Sequence, residues 1–431
     1  MMAALYRVLT TLAGPGVDRL LARRLKRGKE HPERISERRG CPGQARPEGP
    51  LVWIHGASVG EALSVLPLIE RLLAERPTLH VLLTTGTVTS AALMADRLPP
   101  RALHQFVPVD RLPWVRKFLD HWRPDLALWM ESEFWPNLVL ETQKRGVPMV
   151  LVNGRISERS FKAWQRLPSL IATVLRGFTL ALGQTEGDRA RLQALGAPVT
   201  AFVGNIKFSA PPLPADPKAL EPLHAAIGAR PVWLAASTHA GEESIAWQVH
   251  RRAALAHPRL LTIVVPRHAE RGPAVVSELE AAGAKVVRRS PGALPDVATD
   301  VYVADTMGEM GLFFRLAPVV FVGKSLCGGG GQNPLEPGRV GCAVLFGPRM
   351  ANFADIAHRM VEAGAARQVS DAGELSETVS ALLADPAARQ ALGTAAETFG
   401  GGEAEALDRV LDKLTPLLDG LDHAEADRAR A

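Results

Sequence analysis

The stretch that decides the fold is Val52-Trp53-Ile54-His55-Gly56-Ala57-Ser58-Val59-Gly60-Glu61. Its first residues predict the end of a buried parallel strand, and the small residues at 56–60 predict a turn with accessible backbone N–H groups. Apolar residues then recur at helical spacing through Leu73. Glu61 is thereby placed at the carboxyl end of a sheet, where open α/β folds bind ligands. It is either a candidate base or a helix-start acid that complements the helix dipole.

Strand-like and helix-like segments alternate along most of the chain. The predicted strands are 51–54, 79–84, 126–130, 148–152, 179–183 and 200–203 in the first half, and 232–236, 260–265, 284–287, 300–303, 318–322 and 343–346 in the second. Such alternation indicates parallel sheets with helices on both faces. A proline-rich stretch at 209–217 separates the halves. We expect an α/β fold with two Rossmann-like domains facing each other across a cleft.

The predicted organisation has five parts. They are a basic amphipathic segment at 1–48, a first domain at 49–208, a linker at 209–230, a second domain at 231–420 and a polar tail at 421–431. The last 80 residues are expected to be helical up to that tail.

Charge is concentrated at the start of the chain. The first 50 residues carry eleven Arg and Lys against five Asp and Glu, whereas the whole chain of 431 residues has a net charge of only +5. A basic leader on a nearly neutral body predicts an anionic partner, either lipid or nucleic acid. Its apolar stripe is broken at 14–16 and falls short of the roughly 20 residues that span a bilayer. The leader is therefore an interfacial amphipathic helix or an ordinary helix packed on the body.

Several familiar motifs are absent. Gly323-Lys324-Ser325 ends like a phosphate-binding P-loop, but Pro318 stands where its first glycine is required. No G-x-G-x-x-G follows the first strand, and neither H-E-x-x-H nor a D-x-D metal site occurs. Cys41, Cys327 and Cys342 show no metal spacing and no paired framework. We therefore expect no metal, no cofactor and a reducing, cytoplasmic compartment.

Seven polar clusters follow the predicted strands or open the helices after them. They are Glu131–Asn137, Asn153–Ser160, Gly204–Phe208, Ser237–Glu243, Pro266–Arg271, Asp305–Gly311 and Gly328–Glu336. Any single cluster is explained by helix capping or a solvated turn, but together they predict a ligand site at one edge of each sheet.

The residues of these clusters suit a reaction that transfers a group from a phosphate-bearing donor. Arg267 can pair with phosphate oxygens through two parallel hydrogen bonds. The small residues around Met307-Gly308-Glu309, at a helix start, can offer N–H groups to the same anion. Glu336, one turn into a helix behind a glycine run, is either a ribose ligand or another helix-start acid.

At this point the chain resembles the 3-deoxy-D-manno-octulosonic acid (Kdo) transferases of lipopolysaccharide assembly. The similar motifs are Gly56–Glu61, Thr84–Thr87, Glu131–Asn137, Asn153–Ser160, Ala236–Glu243, Pro266–His268, Met307–Glu309 and Asn333–Glu336, in order over about 51–357. Gln332 stands where many members have His, and Gly154 stands where Ala is common. Both departures lie beside the catalytic motifs, so they affect donor-site detail rather than the reaction.

The resemblance implies an inverting GT-B glycosyltransferase with CMP-Kdo as donor and a lipid A precursor of the lipid IVA type as acceptor. The first domain would bind the acceptor and the second the donor. Glu61 would accept the proton, and Glu131 and Lys207 would stabilise the transition state. The implied donor contacts are Arg267, His268, Met307, Gly308, Glu309, Asn333, Pro334, Leu335 and Glu336.

The expected partner surface is then the cytoplasmic face of the inner membrane, an anionic lipid surface rather than nucleic acid. Two rival functions stay open from the residues alone. One is a UDP-sugar epimerase or transferase, which the same fold accommodates. The other is a non-catalytic lipid-binding module built on the basic leader.

Overall fold

The computed structural model describes residues 2–209 and 212–430, with only the backbone of 424–430. The chain divides into two compact units, one formed by Met1–Ala210 with Glu403–Ala431, the other by Pro211–Gly402. Each is built on a parallel sheet with seven strands in the described part of the chain.

The first unit has the strand order β3-β2-β1-β4-β5-β6-β7. Its strands are β1 Leu51–His55, β2 His80–Thr85, β3 Ala102–Phe106, β4 Leu126–Met130, β5 Met149–Gly154, β6 Leu180–Gly183 and β7 Thr200–Phe202. Its helices are α1 Met2–Leu12, α2 Gly14–Lys26, α3 Val59–Ser64, α4 Leu66–Glu75, α5 Val88–Arg97, α6 Leu112–Trp122, α7 Pro136–Lys144, α8 Glu158–Trp164, α9 Pro168–Leu175 and α10 Glu186–Ala194. The order reverses between β1 and β4, where ligands bind in open α/β sheets.

The second unit has the order β10-β11-β9-β8-β12-β13-β14, with its reversal between β8 and β12. Its strands are β8 Val232–Thr238, β9 Leu261–Pro266, β10 Val286–Arg288, β11 Val301–Val303, β12 Val319–Val322, β13 Ala343–Phe346 and β14 Arg367–Gln368. The helices from here to the end are α11 Pro217–Ile227, α12 Glu242–Ala253, α13 Gly272–Ala281, α14 Met310–Leu316, α15 Leu335–Gly338, α16 Ala354–Glu362, α17 Ala372–Ala384, α18 Pro386–Ala404 and α19 Ala406–Arg430.

The central strands are buried on both faces. Every residue of β1 and β4 is buried, as expected for parallel strands covered by helices on two sides. Strand β3 is absent from the sequence prediction because its middle residues, His104 and Gln105, are polar. Both have a side-chain partner in the structure, since Trp122 Nε1 donates to Gln105 Oε1 at 2.7 Å and the His104 ring lies 2.9 Å from Thr85 Oγ1. The Gln105 Nε2 group is buried without a hydrogen-bond partner among the described residues.

The C-terminal helix, α19, belongs to a different domain from the one that the sequence predicted. Residues up to 420 were expected in the second domain, followed by a polar tail, but α19 is helical through Arg430 and belongs to the first unit. Its Val410, Leu414 and Leu418 are buried in the same core cluster as Leu68 of α4. An apolar stripe identifies the buried face of a helix but not the core that covers it, so the sequence assigned α19 to the nearer domain.

The linker in the structure is also shorter than the predicted linker. Helix α11 occupies 217–227, and its Leu223 and Ile227 are buried in the core of the second unit. Residues 210 and 211 of that linker lie outside the described residues. The proline at the start of α11 suits a first helical turn, because that position needs no amide N–H.

The basic leader forms two helices packed within the first unit. Tyr6 of α1 donates its hydroxyl to Asp110 Oδ2 at 2.9 Å, Asn137 Nδ2 donates to Thr10 at 2.9 Å, and Arg7 pairs with Glu141 at 3.2 Å. The opposite face of α1 carries Leu5, Val8, Leu9 and Leu12, which are 50% to 72% exposed. This helix therefore binds the body through its polar face and presents its apolar face outward.

Candidate active site

Glu61 lies at the reversal point of the first sheet. Ser58 caps helix α3, and its hydroxyl accepts the Glu61 amide at 3.2 Å. The carboxylate reaches back to the same turn, where Oε2 accepts the Ala57 amide at 2.8 Å and Oε1 the Ser58 hydroxyl at 2.7 Å. This resembles a capping box, except that the Glu61 carboxylate accepts the amide of Ala57, the residue before the cap, instead of the amide of Ser58. Only 6% of the residue is exposed.

The surroundings of Glu61 also suit proton transfer. Burial raises the pKa of this carboxyl above the ordinary value for glutamate, the hydrogen bond from Ser58 opposes the rise, and the negative charges of Glu131 and Glu133 add to it. A carboxylate offers about four lone-pair sites. Its two hydrogen bonds to Ala57 and Ser58 therefore leave room for a proton. Capping and base chemistry are compatible at this residue.

Glu131 and Lys207 form an ion pair in the same unit. Glu131 follows β4 directly and has a left-handed backbone, with φ of 56°. Lys207 lies on a single turn of 3₁₀ helix, Ile206–Phe208. That turn is held by two asparagines, because Asn153 Oδ1 accepts the Ile206 amide at 3.2 Å and Asn205 Oδ1 accepts the Lys207 amide at 3.0 Å. The backbone that carries Lys207 is thus held in place, and its ammonium pairs with a carboxylate whose charge also reaches Glu61.

Left-handed backbone occurs at strand ends in both sheets. Among the described residues, six residues other than glycine have positive φ, and four of these lie at or just after strand ends: Glu131, Asn153, Ser237 and Lys324. Such conformations cost on the order of 1–3 kcal/mol each and concentrate at functional sites. The sequence motifs contained these residues, but no pattern in the sequence predicted their backbone conformation.

In the second unit, Arg267 and Glu336 come within electrostatic reach of each other. Burial raises the pKa of Glu336, while Asn333, Arg339 and Arg267 oppose that rise. Asn333 Nδ2 donates to Glu336 Oε1 at 3.3 Å, and Asn333 Oδ1 accepts the Leu335 amide at 3.1 Å. Helix α15 has only four residues, so Glu336 is its second residue rather than one turn in.

The other predicted donor residues differ in what they can offer. Leu335 is fully buried and Pro334 is buried, so they provide backbone rather than side-chain contacts. Met307 is 80% exposed beside Gly308, and Glu309 is already paired with Arg289 at 2.8 Å. His268 is exposed, with its ring 6.0 Å from that of His239. Arg267, Gly308, Met307 and His268 are thus the accessible members of the set.

Two functional candidates were given no role from the sequence. His55 is fully buried beneath the Glu61 turn, where its Nδ1 lies 3.0 Å from Thr84 Oγ1 and burial lowers its pKa to about 4. Glu242 opens α12 with a carboxylate that is bound by backbone amides. The signal for Glu242 is its Gly241-Glu242 pair, which repeats Gly60-Glu61 after the corresponding strand of the other sheet.

In residues 2–209 and 212–430, no group of three or more His, Cys, Asp or Glu side chains is arranged to hold a metal ion. Over the same described ranges, no helix has both the length and the apolarity needed to cross a bilayer.

Comparison with known proteins identifies the family. Residues 33–210 match the family model for 3-deoxy-D-manno-octulosonic-acid transferase (kdotransferase). The 3-deoxy-D-manno-octulosonic acid transferase of Bordetella pertussis is 38% identical, over 86% of this chain and 89% of that protein. This chain belongs to the Kdo transferase family. The Haemophilus influenzae Kdo transferase is 34% identical over 90% and 92% of the two chains, and the probable mitochondrial Kdo transferase of Arabidopsis thaliana is 34% identical over 89% and 88%.

Solved structures agree on the fold of this Kdo transferase. UDP-GlcNAc 2-epimerase from Neisseria meningitidis matches with a TM-score of 0.55 at 13% identity, over 85% of this chain and 100% of that one. A glycosyltransferase from Rickettsia africae matches with a TM-score of 0.53 at 10% identity, over 87% and 99%. The predicted GT-B class, with two Rossmann-like domains, is confirmed, as is the predicted resemblance. At such low identity, the epimerase match concerns the fold alone.

Proposed function

We propose that this protein transfers Kdo from CMP-Kdo to a hydroxyl of a lipid A precursor of the lipid IVA type, in assembly of the lipopolysaccharide inner core. Family membership supports Kdo as the transferred sugar, because the relatives are named as Kdo transferases. The observation that carries the mechanism is the buried Glu61 carboxylate, whose pKa is raised and which has oxygen lone pairs left for a proton.

The reaction is an inverting displacement at the anomeric carbon of Kdo. The acceptor oxygen forms the new glycosidic bond, its proton passes to Glu61, and the bonding electrons of the old glycosidic bond leave with CMP. A hydroxyl is a poor nucleophile at neutral pH, so a positioned base contributes roughly 10²–10⁴-fold to the rate. The raised pKa of Glu61 suits this task, because a base is most effective when its pKa approaches the working pH.

The ion pair of Glu131 and Lys207 meets the charges that develop in an oxocarbenium-like transition state. Positive charge grows on the sugar ring and is offset by Glu131, while negative charge grows on the departing CMP and is offset by Lys207. The two asparagines hold the backbone turn that carries Lys207, and the ammonium itself is paired with Glu131 before the reaction. Charges fixed in advance are usually the largest single contribution to catalysis.

Donor binding rests on the accessible residues of the second domain together with the partly exposed Asn333 and Glu336. The Arg267 guanidinium suits the CMP phosphate, and the Asn333–Glu336 pair suits hydroxyls of the nucleotide ribose. His268 and the backbone at 307–309 and 334–335 complete the proposed contact surface. A single phosphate carries less negative charge than a diphosphate, so these cations suffice and we propose transfer without a metal ion or cofactor.

Attachment to the cytoplasmic face of the inner membrane is proposed from α1 and α2. The exposed leucines of α1 are adjacent in sequence to the cations of α2, of which Arg19, Arg23 and Lys26 are exposed. Apolar side chains beside cations are what an anionic lipid surface binds. The polar face of α1 is held to the body, so its apolar face is free to enter lipid.

The proposal is tested by incubating the protein with a lipid A precursor and either CMP-Kdo or UDP-N-acetylglucosamine. Mass spectrometry of the lipid counts added sugars, and released CMP or UDP is measured in parallel with chelator present. We expect Kdo addition with CMP release, unaffected by chelator. UDP-sugar consumption without CMP-Kdo turnover would favour the epimerase or UDP-sugar transferase. Lipid binding without turnover of either donor would favour a binding module.

A further inference from the structure

Glu242 is a buried carboxylate enclosed by backbone amides in the second domain. It opens α12, and only 1% of the residue is exposed. Five N–H groups donate to its two oxygens. They belong to Lys324 at 2.7 Å, Ser325 at 3.0 Å, Leu326 at 3.2 Å, Cys327 at 3.3 Å and His239 at 3.0 Å. Because a carboxylate has about four lone-pair sites, Glu242 is fully committed to these donors.

Four of the donors are consecutive, so they form an anion-binding nest of the kind that holds phosphate in P-loops. The left-handed backbone of Lys324, with φ of 58°, turns the following amides toward a common point. This explains the Gly323-Lys324-Ser325 stretch that resembles the end of a P-loop in sequence. In this protein the nest is filled from within by the carboxylate of Glu242.

The nest is the first part of a segment that we call the glycine loop, Gly323–Gly331. A Cβ at Gly323 would lie 2.5 Å from the Ser237 carbonyl oxygen, so only glycine permits this approach to β8. Further along, the Gly331 amide donates to Lys324 O at 2.9 Å, which folds the end of the loop back onto the nest. Asn333 follows two residues later. Glu242 is therefore connected to Asn333 and Glu336 through its hydrogen bonds to the glycine loop and the two residues of chain that follow the loop.

We propose that Glu242 is a positioning residue for donor binding, and that its carboxylate sets the glycine loop so that Asn333 and Glu336 meet the nucleotide. This inference rests on the proposed function, because it takes those two residues as donor ligands. It assigns Glu242 no contact with the substrate. Its effect is exerted through the backbone of the loop, so it concerns the affinity for the donor rather than the chemical step.

Glu242→Gln tests this directly, because the amide group of glutamine cannot accept the N–H donors that one carboxylate oxygen accepts. We expect the KM for CMP-Kdo to rise about ten-fold, from loop amides left without a partner, while kcat changes less than about two-fold. The matched control is Glu141→Gln, a carboxylate in the first domain that is also 1% exposed and is bound by Arg116 at 3.0 Å. Both variants lose a buried carboxylate, but only Glu242→Gln should weaken donor binding.

A second variant separates positioning from general damage. Glu242→Ala empties the nest, and added formate can replace the lost carboxylate. We expect formate, but not chloride at equal ionic strength, to restore CMP affinity in calorimetry and to raise the Tm of this variant, with neither effect on the wild type. An unchanged donor KM in Glu242→Gln, an equal change in Glu141→Gln, or unfolding that formate does not reverse would overturn the inference. If the wild type itself does not bind CMP-Kdo, the proposed function fails instead.

Discussion

Glu61 and Glu242 occupy corresponding places in the two domains and have opposite surroundings. Each follows a glycine and lies in the first turn of the helix after the strand at the reversal point of its sheet. Glu61 accepts two hydrogen bonds and is influenced by two further carboxylates. Glu242 accepts five amide hydrogen bonds. The same fold position thus yields a carboxylate able to take a proton in one domain and a fixed internal anion in the other.

The difference comes from the neighbouring loop rather than from the helix that carries each carboxylate. In the second domain the loop after β12 turns its amides toward Glu242, starting at Lys324. In the first domain the loop after β4 begins with Glu131, whose side chain pairs with Lys207 instead. The position of a glutamate in the fold therefore does not determine its role. The hydrogen-bond partners of its carboxylate oxygens determine that role.

The largest effect outside Glu61 itself is expected for Lys207→Ala. The change removes the cation proposed to stabilise the leaving group and leaves the charge of Glu131 without its partner. We expect kcat/KM to fall on the order of 10²–10³-fold, as for loss of one preorganised charge. Steady-state kinetics with CMP-Kdo and a soluble acceptor measure this. Lys144→Ala, at an exposed lysine of α7, is the control, and equal activity in both variants would remove Lys207 from the mechanism.

A smaller effect, on binding to lipid vesicles, is expected from exposed apolar residues. The first domain carries them on α1, beside a cluster of cations. Leu9→Ser with Leu12→Ser removes two exposed apolar side chains from α1. Vesicle binding should weaken roughly 10²-fold, because each of the two leucines contributes about 1.5 kcal/mol or more when buried in lipid. Sedimentation with anionic vesicles measures this, while turnover of a soluble acceptor stays unchanged. Leu255→Ser, at a leucine of the second domain that is 86% exposed, is the control. Equal losses for both would exclude α1 as the lipid-binding element.

The smallest expected effect is a shift of the pH profile by Glu133→Gln. The negative charge of Glu133 raises the pKa of Glu61, and a general base must be ionised to act. Removing that charge lowers the pKa of Glu61, so the acid limb of the kcat profile should move to lower pH with little change in its plateau. Glu186→Gln, at an exposed acid paired with Arg189, should leave the profile in place. A shift to higher pH would contradict the assignment of the limb to Glu61.

The sequence predicted the central strands well because buried parallel strands are continuous apolar runs. It missed β3, whose half-buried His104 and buried Gln105 depend on tertiary partners. It also assigned α19 to the wrong domain, because the apolar stripe of a helix does not show which core the helix covers. In the site, Ser58-x-x-Glu61 is readable as a capping box. The left-handed backbone of Lys324 and the closing of its loop around Glu242 depend on contacts more than 80 positions apart, which no local pattern contains.

The measurement that tests the central claim most directly is the kinetics of Glu61→Gln beside Glu242→Gln, with donor affinity determined separately by calorimetry. For Glu61→Gln we predict a kcat lower by roughly 10²–10⁴-fold with CMP-Kdo affinity unchanged, because only the base is lost. For Glu242→Gln we predict the opposite pattern, with weakened donor binding and a nearly unchanged kcat. A near-normal kcat in Glu61→Gln would contradict the assignment of Glu61 as the base.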